Sequence, residues 1–277
     1  MKVNPAAEDT GIRFLRTDLS EDSIIRALAH NVSSTARSTN ISEGGVDVNT
    51  VEHLLSALTG MGIDNALIEI DNVEVPILDG SASYYVKAFA EAGVVEQNAE
   101  RRLLRLDEPI EVVDEKSGSW LKVTPSDEPS YDVTADFGSR VLGVQKAHWD
   151  PSIDYATQIA VCRTFVFFHE IEFLLANNLI KGGDVDNALV VVEHPVSEEQ
   201  IAKMAASIGR PTLRVLPSGY LNNANLHFPD ETGRHKLLDL MGDLRLVGGF
   251  LGAKVEAFKP GHTINSRLAK ILEEKVK

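Results

Sequence analysis

The sequence predicts an α+β protein built from two similar domains. Its 277 residues are about twice the commonest domain size, so two modest domains fit the length. Strand-like segments are interspersed with amphipathic helical segments along the chain. Residues 52–58 resemble residues 234–240, each a helix with a histidine near its start, and residues 64–68 resemble residues 186–190. A duplicated α+β unit, with two halves facing each other across a cleft, explains these pairs; chance similarity of apolar helices is the alternative.

The first 100 residues contain two predicted helices. Thr50 is the expected N-cap of a helix over residues 50–61. Its apolar stripe consists of Val51, Leu54, Leu55 and Leu58. Ser81 is the expected cap of a second helix, which Gly93 ends. The segments predicted as strands in this part are residues 11–16, 65–70 and 74–78.

The remaining residues repeat this mixture of strands and helices. The segments predicted as strands are residues 109–113, 120–123, 131–137, 188–192 and 253–258. The segments predicted as helices are residues 169–178, 197–206 and 230–246, a helix after Pro151 and a closing helix from His262.

The charge balance restricts the partners of the protein. Lys and Arg total 27 against 41 Asp and Glu, which gives a formal net charge of -14. The sequence contains no basic run, and an acidic surface repels nucleic-acid phosphates. Nucleic acid is therefore excluded as a partner. A small anionic substrate stays open, because a pocket needs only a few well-placed cations.

Cysteine content and apolar runs indicate the compartment. Cys162 is the only cysteine, which excludes intrachain disulfides and a thiolate-rich metal site. Apolar runs such as residues 188–192 are far shorter than the ~20 residues that span a bilayer. The N-terminus lacks the basic-then-apolar pattern of a signal peptide. We therefore expect a cytoplasmic protein.

His235 and Asp239 are the strongest candidates for metal ligands. Their spacing of four residues in a predicted helix places both side chains on one face. His53 occupies the equivalent point of the similar helix and is the best third ligand if the halves face each other. Two imidazole nitrogens and one carboxylate oxygen suit zinc, with a fourth position for water. The alternative is a surface His–Asp pair worth a few tenths of a kcal/mol.

Two further residues could carry proton transfer. Glu52 precedes His53 directly and could act as the general base beside a metal. His262 begins the last helix and could protonate a leaving amine, with Asp243 as its carboxylate partner. The alternatives are a solvated glutamate favoured by the helix dipole and a partly exposed histidine at a helix start.

The segment from Thr164 to Leu175 is unusually apolar and contains four of the ten phenylalanines. A core helix is the ordinary interpretation of such a segment. A groove that receives an acyl chain is the more specific interpretation.

Several motifs, in a consistent order over nearly the whole chain, carry a family resemblance. The motifs are Thr50-Val51-Glu52-His53-Leu54-Leu55-Ser56-Ala57-Leu58, Gly62-Ile63-Asp64-Asn65, Pro76-Ile77-Leu78-Asp79-Gly80-Ser81-Ala82, Arg163-Thr164-Phe165, Gly182-Gly183-Asp184-Val185-Asp186-Asn187, Arg234-His235-Lys236-Leu237-Leu238-Asp239 and Gly261-His262. With them the sequence resembles the zinc-dependent UDP-3-O-acyl-N-acetylglucosamine deacetylases of lipid A biosynthesis. Each motif is modest alone, but the set is highly specific.

The resemblance implies a role for each matching residue. The implied zinc ligands are His53, His235 and Asp239. The implied catalytic residues are Glu52 as general base, His262 as general acid, Asp243 as the residue that orients His262, and Thr164 as the oxyanion stabiliser. Lys236 and Lys259 match positions that approach the UDP-sugar. The residues implied to line the hydrophobic passage of the 3-O-acyl chain are Phe165, Phe168, Ile171, Ile180 and Val185.

The resemblance also implies the architecture. The expected domains are residues 1–100 and residues 101–277, each a β-sheet layered with α-helices, with the active site between them. A β-α-β insert around residues 164–192 would form the acyl-chain passage. Family members start with an additional strand pair, so we expect the first domain to lack that pair. The segment 197–223 is similar to the form of the enzyme that is fused to a 3-hydroxyacyl-ACP dehydratase.

The function implied by the resemblance is hydrolysis of the N-acetyl group of UDP-3-O-(3-hydroxyacyl)-N-acetylglucosamine, which releases acetate in the committed step of lipid A biosynthesis. The expected cofactor is Zn²⁺, and the expected protein is a monomer with peripheral contact to the inner membrane. One alternative is a zinc deacetylase of another N-acetyl sugar. The other is a truncated or inactive copy that binds UDP-lipid without turnover.

Overall fold

The computed structural model describes residues 1–20, 22–171, 187–207, 212–222 and 225–276. The α-helices described are α1 (Glu52–Gly60), α2 (Ser83–Ala92), α3 (Tyr155–Gln158), α4 (Glu198–Ser207), α5 (Glu231–Arg245) and α6 (His262–Lys275). The strands described are β1 (Lys2–Pro5), β2 (Ile12–Arg16), β3 (Ile24–Arg26), β4 (Val32–Ser34), β5 (Asn40–Glu43), β6 (Val46–Val48), β7 (Ala66–Ile70), β8 (Leu103–Leu104), β9 (Ile110–Asp114), β10 (Ser119–Pro125), β11 (Ser130–Asp136), β12 (Val144–Trp149), β13 (Phe165–Phe167), β14 (Leu189–Val191), β15 (Phe250–Leu251) and β16 (Ala253–Phe258). The predicted α+β class is confirmed.

Two mixed sheets form the main layers. The first has the order β1-β7-β2-β3, with β2 and β7 parallel at its centre and antiparallel strands outside them. The second has the order β12-β11-β16-β10-β9, with β11 and β16 parallel and the other pairs antiparallel. In both sheets a helix, α1 or α5, lies in the chain between the two parallel strands, and another, α2 or α6, follows the second of them. The same connectivity thus occurs twice.

Smaller sheets surround these layers. Strands β4, β5 and β6 form an antiparallel meander just before α1. Strands β13 and β14 pair in parallel, and the short strands β8 and β15 do the same. The chain that connects β13 to β14 lies mostly outside the described residues.

The hydrophobic core is continuous between the two main sheets. Leu54 and Leu58 of α1 belong to the same cluster of buried side chains as Leu237 and Leu244 of α5. A separate cluster lies under β14, where Val190 packs near Phe168, Ile171, Met204 and Leu221. Helices α1 and α5 therefore pack against each other within this shared core. No helix of the described residues is long and apolar enough to cross a membrane.

Most predicted elements are confirmed, and three details are wrong. Helix α2 begins at Ser83, and Ala82 instead of Ser81 occupies its cap position. Helix α1 begins one residue later than expected for a Thr50 cap, because Val51 occupies the cap position and Thr50 has a left-handed φ of 61°. The predicted strand over residues 74–78 is also absent; Glu74 makes an isolated bridge to Asn49. The predicted helix over residues 169–178 lies largely outside the described residues.

Candidate active site

The candidate site is built where α1 crosses α5. Glu52 and His53 are the first two residues of α1. A Cβ atom on Gly242 of α5 would lie 2.0 Å from the carbonyl oxygen of Glu52, so the two backbones are in direct contact at this point. The glycine therefore allows the start of α1 to approach the polar face of α5.

That face of α5 carries three functional candidates. His235, Asp239 and Asp243 are spaced by four residues, which places them in a row along one side of the helix. All three side chains are buried. The interpretation of His235 and Asp239 as a surface pair is therefore wrong.

The structure brings together the three predicted metal ligands. Oδ1 of Asp239 lies 3.3 Å from Nε2 of His235 and 3.5 Å from Nε2 of His53. The ligand atoms of the three residues all lie within 4.8 Å of one another. Tetrahedral zinc with bonds of about 2.0–2.1 Å requires ligand atoms roughly 3.3 Å apart. The two distances from Asp239 fit that requirement.

The surroundings of the three side chains also fit a bound cation. Oδ1 of Asp239 is buried and has no hydrogen-bond partner among the described residues, which is costly unless another group binds it. Its other oxygen, Oδ2, accepts a hydrogen bond of 2.8 Å from Nζ of Lys236. Nδ1 of His235 lies 3.1 Å from the carbonyl oxygen of Cys162. Donation by Nδ1 to this carbonyl leaves the lone pair of Nε2 free to bind a metal.

The protonation states suit metal binding. Burial lowers the pKa of His235 to about 3, so its imidazole is neutral at physiological pH. Burial disfavours the charge of Asp239, but the neighbouring His235 and Lys236 outweigh that effect and hold its pKa well below the ordinary value. A neutral imidazole and an ionised carboxylate are the forms that coordinate metal ions.

Glu52 lies beside this cluster. The residue is only 2% exposed, so the interpretation as a solvated glutamate is wrong. Burial raises the pKa of Glu52, although the charges of His262 and His53 oppose the shift. A carboxylate with a raised pKa is a stronger base than an exposed one.

His262 faces Glu52 from the start of α6. Its Nε2 lies 3.9 Å from Oε1 of Glu52, and its Nδ1 lies 2.9 Å from Oδ2 of Asp243. Burial opposes the charge on His262, but the carboxylate of Asp243, helped by Asp239 and Glu52, raises its pKa to about 9. The imidazole is therefore charged at neutral pH and holds a transferable proton.

Two residues of this network were not predicted from the sequence. Thr39, in the loop before β5, donates its backbone N–H to Oε2 of Glu52, and its hydroxyl contacts Asp243 and His262. Asn265 donates its amide to Oδ2 of Asp243. The spacing of three residues between His262 and Asn265 in α6 was a usable signal, because such residues share a helix face. Thr39 had no comparable signal.

An ion pair between a half-buried arginine and a buried glutamate anchors the chain on one side of the cluster. Arg163 donates to Glu231, the first residue of α5, through its backbone N–H (3.1 Å) and its Nε (2.8 Å). Arg163 stands between Cys162, which contacts His235, and Thr164. The pair therefore fixes the start of α5 relative to residues 162–164. Thr164 itself is held by a hydrogen bond from its N–H to the carbonyl of Gly80.

Three residues predicted to bind substrate, Lys236, Lys259 and Phe165, have charged or aromatic neighbours. Nζ of Lys236 lies 5.6 Å from the ring centre of Phe165. Phe165 packs edge-to-face against Phe137, with 5.0 Å between the two ring centres. Nζ of Lys259 lies 3.2 Å from a carboxylate oxygen of Asp136 at the end of β11.

The remaining residues predicted for the acyl-chain passage differ in their surroundings. Phe165 is half-buried, whereas Phe168 and Ile171 are buried in the cluster under β14. Ile180 and Val185 lie outside the described residues.

Metal-dependent hydrolases combine clustered histidine and carboxylate ligands with a nearby base and acid, and a buried glutamate and a charged histidine lie beside the candidate ligands here. The family model described as UDP-3-O-acyl N-acetylglycosamine deacetylase matches residues 1–208 and 212–274. The chain belongs to this family, and the predicted resemblance is confirmed.

Individual relatives agree with the family match. A bifunctional enzyme LpxC/FabZ of Porphyromonas gingivalis is 42% identical over 99% of this chain and 59% of its own length. A UDP-3-O-acyl-N-acetylglucosamine deacetylase of Saccharophagus degradans is 40% identical over 95% of this chain and 79% of its own length. A protein of the same name from Trichormus variabilis is 37% identical over 97% of this chain and 89% of its own length. The chain thus spans about three fifths of the bifunctional relative and most of the two deacetylases.

Proposed function

We propose that the chain is a zinc-dependent deacetylase that hydrolyses the N-acetyl group of UDP-3-O-(3-hydroxyacyl)-N-acetylglucosamine and releases acetate in lipid A biosynthesis. The observation that carries the proposal is the placement of Glu52 and His262, 3.9 Å apart, beside the cluster of His53, His235 and Asp239. Amide hydrolysis needs a proton acceptor for water and a proton donor for the amine. Membership in the deacetylase family supports this substrate.

The roles of the side chains follow from their protonation. Zinc held by His53, His235 and Asp239 would polarise the acetamide carbonyl and make water more acidic. Glu52 accepts the proton of the attacking water through its raised pKa. His262 donates its Nε2 proton to the departing amine, while Asp243 holds its Nδ1. Thr164 is assigned to the oxyanion that develops on the carbonyl oxygen.

The substrate's other groups are assigned to the surrounding residues. Lys236 and Lys259 supply positive charge that attracts the diphosphate of the UDP-sugar. The protein as a whole is strongly acidic. Phe165, Phe168, Ile171, Ile180 and Val185 are assigned to the passage for the 3-O-acyl chain. Phe168 and Ile171 are buried, so we assign them to the packing that supports the passage. Phe165 is half-buried and is assigned to direct contact with the acyl chain.

We infer that residues 1–100 and 101–277 are two similar domains with the site between them. The repeated connectivity around the parallel pairs β2–β7 and β11–β16 supports this division. Glu52 and His53 come from the first part, and the other metal ligands come from the second. The parallel pairing of β13 and β14 supports a β-α-β insert around residues 164–192. Peripheral contact with the inner membrane, a cytoplasmic location and the monomeric state stay predictions.

The decisive test is acetate release by the zinc-loaded chain from the 3-O-acylated UDP-sugar. UDP-N-acetylglucosamine, which lacks the acyl chain, is the matched control substrate. Rapid turnover of the acylated substrate alone is the expected result. Equal turnover of both would favour a deacetylase of another N-acetyl sugar, and binding without turnover would favour an inactive copy.

Zinc stoichiometry gives a second prediction. The purified chain is expected to hold about one zinc ion, because a single group of three clustered ligands occurs among the described residues. His53→Ala is expected to lose the metal, since two ligands bind zinc far less tightly than three. His148→Gln changes an exposed histidine that pairs with Asp132 and Asp150, so it serves as the control and should retain zinc. Full zinc content in His53→Ala, measured by atomic absorption, would contradict the assigned ligand set.

The pH dependence of kcat gives a third prediction. The raised pKa of His262 means that the proton-donating form is fully present at low pH and is lost as pH rises through the folded-state pKa. The rate is therefore expected to fall on the alkaline side. A cation bound by His53, His235 and Asp239 would repel the positive charge of His262 and lower its pKa. The decrease in kcat is therefore expected at a pH between 6.5, the ordinary pKa of histidine, and about 9. Asp243→Asn should move the fall to lower pH in a pH–rate profile, and an unmoved alkaline limb would argue against His262 as the acid.

A further inference from the structure

Thr39, in the loop between β4 and β5, contacts residues of the candidate site. Thr39 is completely buried, although it lies in a loop only one residue before β5. A buried threonine hydroxyl needs a partner, because an unpaired polar group in the interior is costly. Thr39 finds its partners on three different helices: Glu52 on α1, Asp243 on α5 and His262 on α6.

The backbone and the side chain of Thr39 serve different residues. Its N–H donates to Oε2 of Glu52 at 3.0 Å. Its hydroxyl donates to Oδ1 of Asp243 at 2.5 Å and lies 3.2 Å from Nδ1 of His262. One residue thus contacts the assigned proton acceptor and, through Asp243, the assigned proton donor.

Among the described residues, the hydrogen bonds engage one atom on each of the two groups assigned to proton transfer and leave the other facing the site. Both oxygens of Asp243 are occupied, Oδ1 by Thr39 and Oδ2 by His262 and Asn265. Nδ1 of His262 is therefore engaged, and Nε2 is the nitrogen that faces Oε1 of Glu52. Because Thr39 holds Oε2 of Glu52, Oε1 is the oxygen left for water.

We propose that Thr39 is a positioning residue that fixes the spacing between the proton acceptor Glu52 and the proton donor His262. The proposal rests on the proposed deacetylase function for its kinetic consequence, but not for the contacts themselves. Because the N–H and the O–H belong to one rigid residue, a shift of the loop would move Glu52 and Asp243 together. Loss of the hydroxyl removes one of the hydrogen bonds that restrain Asp243 and, through it, His262, while the N–H still holds Glu52.

The test compares Thr39→Val with Thr39→Ser. The valine has nearly the same shape without the hydroxyl, so kcat is expected to fall about 10–100-fold with KM changed by less than about threefold, since small misplacements of reacting groups are costly. The serine restores the hydroxyl and should keep kcat within about threefold of the wild type. Thr35→Val is the matched control, because Thr35 lies in the same loop and its hydroxyl contacts Thr263 instead. Equal losses in the serine and valine variants, or a change in KM alone, would overturn the proposal.

A second measurement separates this proposal from the proposed function. In ¹⁵N-edited NMR spectra of the zinc-loaded protein at neutral pH, the Nδ1 proton of His262 is expected to give a protected signal in the wild type and in Thr39→Ser. In Thr39→Val this proton should exchange faster with solvent, because Asp243 loses a hydrogen bond that restricts it. Failure of the wild type to release acetate would refute the deacetylase function and leave this measurement intact. An unchanged signal in Thr39→Val would refute the positioning role.

Discussion

Replacement of Glu52 by glutamine is expected to lower kcat by about 10²–10⁴-fold, the usual contribution of a general base. Glutamine has nearly the same shape and can still accept the hydrogen bond from the N–H of Thr39 through its amide oxygen. It has no basic carboxylate, so the proton of the attacking water has no acceptor at this point. The expected change is confined to kcat, because Glu52 is not one of the three clustered metal ligands.

The measurement is steady-state deacetylation by zinc-loaded Glu52→Gln, together with its zinc content. Glu111→Gln is the control, since Glu111 is exposed on β9 and lies outside the site. The control should behave as the wild type. A Glu52→Gln variant with full zinc content and a kcat near that of the wild type would remove Glu52 from the mechanism.

Substitution of Gly242 by alanine is expected to damage both stability and activity. The added Cβ would lie 2.0 Å from the carbonyl oxygen of Glu52, well inside van der Waals contact, and the neighbouring atoms belong to backbone that cannot rotate away. Helices α1 and α5 must therefore move apart by about 1 Å or more, and displacements of this size cost about 10²-fold in rate. Overpacking of this kind typically costs about 1–3 kcal/mol of the free energy of unfolding.

Chemical denaturation and zinc titration would measure the two effects of Gly242→Ala. Zinc affinity should fall, because His53 on α1 moves away from His235 and Asp239 on α5. Gly261→Ala is a suitable control, since a Cβ at Gly261 meets no atom within 4 Å. Wild-type zinc affinity in Gly242→Ala would show that the helix crossing does not set the ligand spacing.

The sequence predicts the helices of the site well because each of them has its own periodic pattern. The spacing of His235 and Asp239 and the apolar stripe of α1 are local signals, and the repeated segments indicated which helices should meet. Strand β16 has the limits that the sequence predicts, residues 253–258. Buried and half-buried residues alternate regularly along it. These local patterns were sufficient for the α+β class and for the clustering of His53, His235 and Asp239.

The features that sequence reasoning missed depend on contacts between distant parts of the chain. Thr39 is an ordinary polar loop residue until folding places it between Glu52 and Asp243, more than 200 residues away from the latter. Thr50 looks like a helix cap, but its N–H and hydroxyl are taken by Asn40 and Glu74 from neighbouring segments. Tertiary hydrogen bonds of this kind override local preference.

The positions of the three candidate metal ligands in the sequence have a consequence for the folding of the chain. His53 belongs to α1 and His235 and Asp239 belong to α5, so an ion bound by all three acts as a cross-link between segments about 180 residues apart in sequence. Within the part of the chain that the structure describes, the buried Oδ1 of Asp239 lacks a hydrogen-bond partner, so a bound ion would offset the cost of burying it. An ion that binds only the native state adds about 2.7 kcal/mol of stability at a free concentration 100 times its Kd. Metal supply would therefore set how much folded protein a cell retains, in addition to how fast each molecule works.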